Sequence, residues 1–205
     1  MGLARHWASS ELRVICPMGR GRFIRWNDSL QGDFCEIELD EPFAGKTRTQ
    51  LPAGEVVADS LYFLARIIYV GGVGVVTSGF GYPSWEELSQ VLHNSPIIGN
   101  EYWLGLNFET RSFEVVPGPV VVNNDYQIWE IGLSQTIRPI ERPPLSEFDD
   151  LLAVKMFWED RIKTLAGSSG PLILFVALHQ PSKEILARKI IGVAKTICEE
   201  TYWDK

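Results

Sequence analysis

The sequence predicts an α+β fold: a largely antiparallel sheet with a C-terminal helix–buried strand–helix unit. Three observations predict it. Residues 33–40 set Cys35, Ile37 and Leu39 against Glu36, Glu38 and Asp40, the period-2 pattern of a half-buried strand. LILFVAL at 172–178 is apolar without alternation, as in a strand covered on both faces. The segments flanking that run carry apolar residues three and four apart, the period of a helix with one buried face.

Taken in order, the first fifty residues read as strands. LRVIC at 12–16 and FIRW at 23–26 flank the turn-rich PMGRG, which predicts a hairpin. The segment NDSLQG at 27–32 resembles one half, [DN]xSxxG, of the PilZ signature. Its RxxxR companion is missing, because Arg20, Arg22 and Arg25 have other spacings, so the segment is read as a turn.

A helix is expected to open at PAGE (52–55), carry Val57, Leu61, Leu64 and Ile68 on one face, and stop at Gly71-Gly72. The glycine-rich stretch to Gly81 is read as a loop or irregular strand. It follows a helical pattern and has Thr77 where the third glycine of GxGxxG belongs, so it is not a nucleotide loop. Ser84 with Glu87 predicts a capped short helix running to about His93.

Residues 102–136 return to strands, in a meander. PIERPP at 139–144 is a stiff linker. Ser146 is expected to cap the strongest helix, with Leu151, Val154, Trp158, Ile162 and Leu165 inward and Gly167 as its stop. After the buried strand, Pro181-Ser182 is expected to start a last helix with Leu186, Ile190, Val193 and Ile197 inward. The whole reads as a single α+β domain over 1–205, sub-divided into a β-rich lobe at 1–50, a mixed part at 51–138 and the helix–strand–helix unit at 145–205.

Composition narrows the functions. The chain has 205 residues, 45% of them hydrophobic and 22% charged, within the range of globular proteins. Its net charge of −7 lacks the basic footprint of a nucleic-acid binder and suits a basic protein partner. Cys16, Cys35 and Cys198 are odd in number and widely spaced, which excludes a disulfide framework and a structural zinc site and points to a reducing, cytoplasmic setting. No secretory leader or membrane-spanning run is expected: the stretch at 61–76 is broken by Arg66 and glycines, and His6 stands where a myristoylation signal takes Ser or Thr.

No catalytic residue, metal site or cofactor is expected. Glu36, Glu38 and Asp40 are read as a solvated strand face, and Cys35, opposite them, as a core residue and a poor nucleophile. The candidate binding residues are Arg20, Arg22, Arg25 and Trp26 on the first hairpin, where guanidinium forks and aromatics could hold an acidic partner or a phosphate. His179 joins them, at the end of the buried strand and ahead of the expected helix N-terminus. The expected function is that of a non-catalytic protein-binding or inhibitory protein, such as an acidic immunity protein that neutralises a basic partner. The alternative is an enzyme or small-ligand or nucleotide receptor whose site assembles from distant residues: His179, His93, Asp28-Ser29 and the Arg20–Arg25 hairpin.

Overall fold

The computed structural model describes residues 11–27, 33–70, 73–118, 124–133, 145–165, 172–193 and 195–203. Two antiparallel sheets hold nearly all of the regular structure. The first is built from β1 (Arg13–Cys16), β2 (Gly19–Asn27), β3 (Phe34–Phe43), β4 (Lys46–Pro52) and β5 (Val57–Ala58), in the order β4-β3-β2-β1-β5. The alternation in β3 acts as expected. Cys35, Ile37 and Leu39 enter a small core with Val14, Phe23 and Leu51, while the carboxylates face outward.

The second sheet contains β6 (Tyr62–Val70), β7 (Val73–Tyr82), β8 (Glu101–Asn107), β9 (Ser112–Val116), β10 (Tyr126–Gly132), β11 (Leu145–Phe148), β12 (Ile173–His179) and β13 (Glu184–Gly192). Its order is β11-β10-β12-β13-β9-β8-β6-β7, with β14 (Lys195–Thr201) also paired to β13. The sheet curls until β7 lies against β10. Gly79 of β7 has no room for a Cβ beside Ile131 and Leu133, which is why the strand can approach so closely. Phe63, Leu104, Phe113, Trp129, Leu174 and Ile190 fill the inside.

Among the described residues two helices lie on the outside. Helix α1 (Trp85–Asn94) is capped as expected: the Ser84 hydroxyl accepts from the Glu87 amide at 3.2 Å. Leu88 and Leu92 rest on Leu64, and Gly105 of β8 lets the helix settle close to the sheet. Helix α2 (Leu151–Phe157) continues through a π-helical turn (Trp158–Ile162) and a short 3-10 turn (Lys163–Leu165). Val154, Trp158 and Ile162 cover the outer side of β10, β12 and β13.

Four expectations are corrected. The helix expected from Pro52 is a 3-10 turn at Ala53–Glu55 followed by β5 and β6. Tyr62, Phe63, Ile67 and Ile68 are strand formers, and β6 is covered on both sides, with Phe63 and Ile67 inside and Leu64 under α1. The last expected helix is also absent. Residues 184–192 and 195–201 form β13 and β14, because β13 too is buried on both faces and a run of that kind has no period to read. The helix–strand–helix unit therefore has only its first helix and its strand.

The third correction concerns the meander: β10 leaves β9 and pairs with β11 and β12 instead. The fourth is the cap of α2, which is Asp150, accepting from the Ala153 amide at 2.8 Å; Ser146 sits in β11. The turn at 28–32, Gly71-Gly72, the linker at 139–144 and Gly167 lie outside the described residues.

The two sheets meet where β1 and β5 close one end of the curled sheet. The Val193 amide donates to the Pro17 carbonyl at 2.6 Å, and a Cβ on Gly192 would overlap that same oxygen. Gly192→Ala is therefore expected to destabilise the protein by about 2–3 kcal/mol, since backbone atoms cannot yield as a side chain can. Urea unfolding followed by tryptophan fluorescence measures this, and an unchanged midpoint would refute the close approach.

Candidate functional site

The arginines of the first hairpin do come together. A register shift between Phe23 and Arg25 leaves Ile24 as a bulge, so Arg25 shares the face of Arg20 and Arg22. Each is already held by a carboxylate. Arg22 pairs with Glu38 at 2.5 Å, Arg25 with Glu36 at 2.8 Å and Arg20 with Asp59 at 3.1 Å. Arg48 adds to Glu38 at 3.2 Å, and Arg13 binds Asp40 through its two terminal guanidinium nitrogens.

Hydrogen bonds from Arg22 and Arg48 hold the Glu38 carboxyl below its usual range, and Arg13 does the same for Asp40. Burial pushes Asp59 up, against the pull of Arg20 and Arg13. An incoming phosphate would have to displace carboxylates already in place. Trp26 sits apart from this ladder, tilted against Phe23 with ring centres 5.4 Å apart, beside the small core.

His179 ends β12 as expected, but a turn and then β13 follow it, not a helix N-terminus. Its Nδ1 lies 2.6 Å from the Ser182 hydroxyl and its ring stacks on Tyr126 at 4.7 Å. The Arg20 pit, which also holds Asp40, Glu41 and Lys195, lies beside the start of β14. Strand β13 separates that pit from His179 by its own length, about 27 Å at the usual rise per residue. His179 and the arginine hairpin do not form one site. Asp28 and Ser29 lie outside the described residues.

His93 has a serine and a carboxylate in reach, Ser89 Oγ at 3.3 Å and Glu114 Oε1 at 3.1 Å. Its Nδ1, however, faces the Ser89 carbonyl oxygen at 2.9 Å and must carry a proton to bond there. A protonated Nδ1 cannot accept the Ser89 hydroxyl proton, so this trio is not a nucleophile–base–carboxylate relay. It is a helix clasp on an exposed surface. Among the described residues no group of three or more His, Cys, Asp or Glu has the placement of a metal site. Cys35 is buried, and desolvation pushes its thiol up to about 12.

The surface with the chemistry of a binding site is one that the expected inward stripe does not include. Asp150 starts α2, and Val154, Trp158 and Ile162 anchor it inward. The π turn seats Trp158, whose Nε1 donates to Glu199 at 3.2 Å and whose ring meets Trp203 edge-on at 5.7 Å. On the opposite side, one turn apart, Leu152 and Met156 are 67% and 62% exposed. Beside them runs an open groove of about 660 Å³, lined by Phe148, Ala153, Met156, Phe157, Glu159 and Asp160. Phe148 and Phe157 pack at 5.2 Å, and Arg161, also on the groove, lies over the Phe157 ring at 5.8 Å. Leu152 and Met156 stand four positions apart on the solvent side of an otherwise amphipathic helix, and that was the signal available in the sequence.

Compared with family models, curated proteins and solved structures, the chain has no significant match. Among the described residues no helix is long and apolar enough to cross a membrane.

The Ser89 carbonyl and then Glu114 raise the His93 pKa above its usual 6.5. A raised folded-state value adds stability that is complete below the unfolded value and is lost as pH rises through the folded one. In an NMR titration His93 is expected to titrate above 6.5, and Glu114→Gln to bring it only part of the way back. A wild-type value at or below the ordinary one would contradict the clasp.

Proposed function

We propose that this chain is a non-catalytic protein-binding protein, acidic in character, whose partner is a basic protein that it inhibits or neutralises. One observation carries the reading: Leu152 and Met156 stand exposed beside an aromatic-walled groove edged by Glu159 and Asp160. Side chains of this kind stay in water at a cost, and a rimmed apolar patch is a mark of protein contact surfaces. Met and aromatic residues supply the buried centre of many interfaces. The net charge of −7 would speed encounter with a basic partner. Three free, buried cysteines fit a reducing compartment, and we place the encounter in the cytoplasm.

The enzyme or small-ligand alternative draws less support. Its proposed elements, His179 and the arginine hairpin, stand at opposite ends of β13, and the arginines are engaged by carboxylates.

Capture from native host lysate with three tagged baits tests the reading. The wild type is expected to retain a stoichiometric, basic protein at moderate salt. Met156→Asp is expected to retain at least about tenfold less, the loss of a central apolar contact. Arg22→Ala, on the distant charged ladder, is expected to behave as wild type. Retention by Met156→Asp equal to wild type, or no retained protein at all, would overturn the reading.

A further inference from the structure

We infer that the groove beside α2 receives an amphipathic helix of the partner, apolar on one side and basic at the end that meets Glu159 and Asp160. This rests on the protein-binding reading above and names the shape and charge of what binds. The argument starts from spacing. Leu152 and Met156 are exposed one turn apart on α2, and Met156 lines the groove together with Phe148, Ala153 and Phe157. A ridge of two residues four apart, with a furrow beside it, is the surface into which a second helix packs. From Leu152 to Asp160 the surface extends about 12 Å at the helical rise, enough for two turns of a partner.

Charge fixes the direction. The apolar ridge gives way to Glu159 and Asp160 within one turn, with Arg161 lying back over Phe157. Between residues 145 and 165 there are five carboxylates (Glu147, Asp149, Asp150, Glu159, Asp160) and three cations (Lys155, Arg161, Lys163). A basic helix is attracted to such a surface. A second copy of the chain carries the same −7 and is repelled at a distance. An anionic lipid surface is repelled in the same way. The π turn follows directly: Trp158 at its start packs inward while Glu159, Asp160 and Arg161 line the groove, and widened turns of this sort recur at functional sites.

The probe is a fluorescein-labelled Leu/Lys amphipathic peptide of about 15 residues, long enough to hold a helix on a surface. Two controls accompany it: a Leu/Glu twin of the same pattern, and a Lys/Ser peptide of equal charge with no apolar face. Fluorescence anisotropy is read against the full chain, with unchanged circular-dichroism melting required of each variant. The Leu/Lys peptide is expected to bind, and Leu152→Asp and Met156→Asp are each expected to weaken it about tenfold, 1.4 kcal/mol. Both variants make the protein more acidic, so an attraction by charge alone would strengthen instead. Reversing Glu159 and Asp160 to Lys is expected to weaken the Leu/Lys peptide and improve the Leu/Glu twin.

The inference is overturned if either Asp variant binds as wild type does, or if the Lys/Ser or Leu/Glu peptide binds wild type as tightly as Leu/Lys. It is also overturned if sedimentation reveals a dimer that Met156→Asp dissolves, which would make a second copy the occupant. Its failure is distinct from failure of the broader reading. Lysate capture that still depends on Met156 would leave protein binding standing and remove only the basic helix.

Discussion

Much of the architecture depends on two adjacent cations in one buried strand. In β13, Arg188 and Lys189 point to opposite faces, and both are buried. Strand β14 lies alongside with Glu200 opposite Arg188 and Glu199 opposite Lys189. Arg188 reaches Glu200 through two nitrogens, at 2.8 and 3.1 Å, inside the curled sheet, where its guanidinium also lies 4.7 Å from the centre of the Phe108 ring. Tyr202 donates to Glu200 from the same side. On the outside Lys189 lies 3.3 Å from Glu199, which also accepts from Trp158. Buried ion pairs of this type add little net stability, because desolvation offsets their attraction. They do fix a register. A slip of one residue would leave one of the two buried cations opposite a residue that is not a carboxylate, Lys189 against Cys198 or Arg188 against Thr201.

That register sets what the rest of the chain must cover. With β12 and β13 buried on both sides, the curled sheet supplies one cover and α2 with its π turn supplies the other. Trp158 is the hinge between the two requirements, since it fills the outer core and satisfies Glu199 beside Lys189. Fully burying an aliphatic side chain such as Val154 or Ile162 is worth about 1.5–3 kcal/mol, which holds the helix down. Leu152 and Met156 contribute nothing to this. They lie on the side of α2 that the fold does not need, and their exposure therefore calls for an explanation outside the fold.

The same strand explains where sequence reading succeeds and where it stops. Alternation in β3, the apolar run of β12, the Ser84 cap and the Val154, Trp158 and Ile162 part of the α2 stripe were legible, because each pattern has one dominant cause; Leu165, expected inward, is 44% exposed. β6 and β13 were not. A strand covered on both faces has no polar side, so Leu186, Ile190, Val193 and Ile197 fit a helical spacing as well as a buried strand does. The missing clue was long-range: Arg188 and Lys189 meet Glu200 and Glu199 across two neighbouring strands, a pairing that no local period displays. The hairpin arginines were legible as a cluster, yet their occupancy depended on carboxylates one and two strands away, together with a bulge at Ile24. His179 was placed correctly at a strand end, but its setting changed when the helix after it became a hairpin.

Charge accounting bears directly on what the surface can do. Catalysis draws on polar groups held in place and shielded from water, ready to act on a substrate. Here the buried ion pairs spend their polarity on each other, Arg188 on Glu200 and Lys189 on Glu199, and Gln180 donates to Gln127 at 2.7 Å. The exposed arginines of the first sheet are likewise matched strand by strand. Among the described residues the Leu152–Met156 ridge and the aromatic groove beside it are exposed apolar surface, which gains by leaving water. A surface whose unspent energy is hydrophobic and whose rim is acidic is suited to association, and a basic, apolar-faced segment satisfies both parts of it at once.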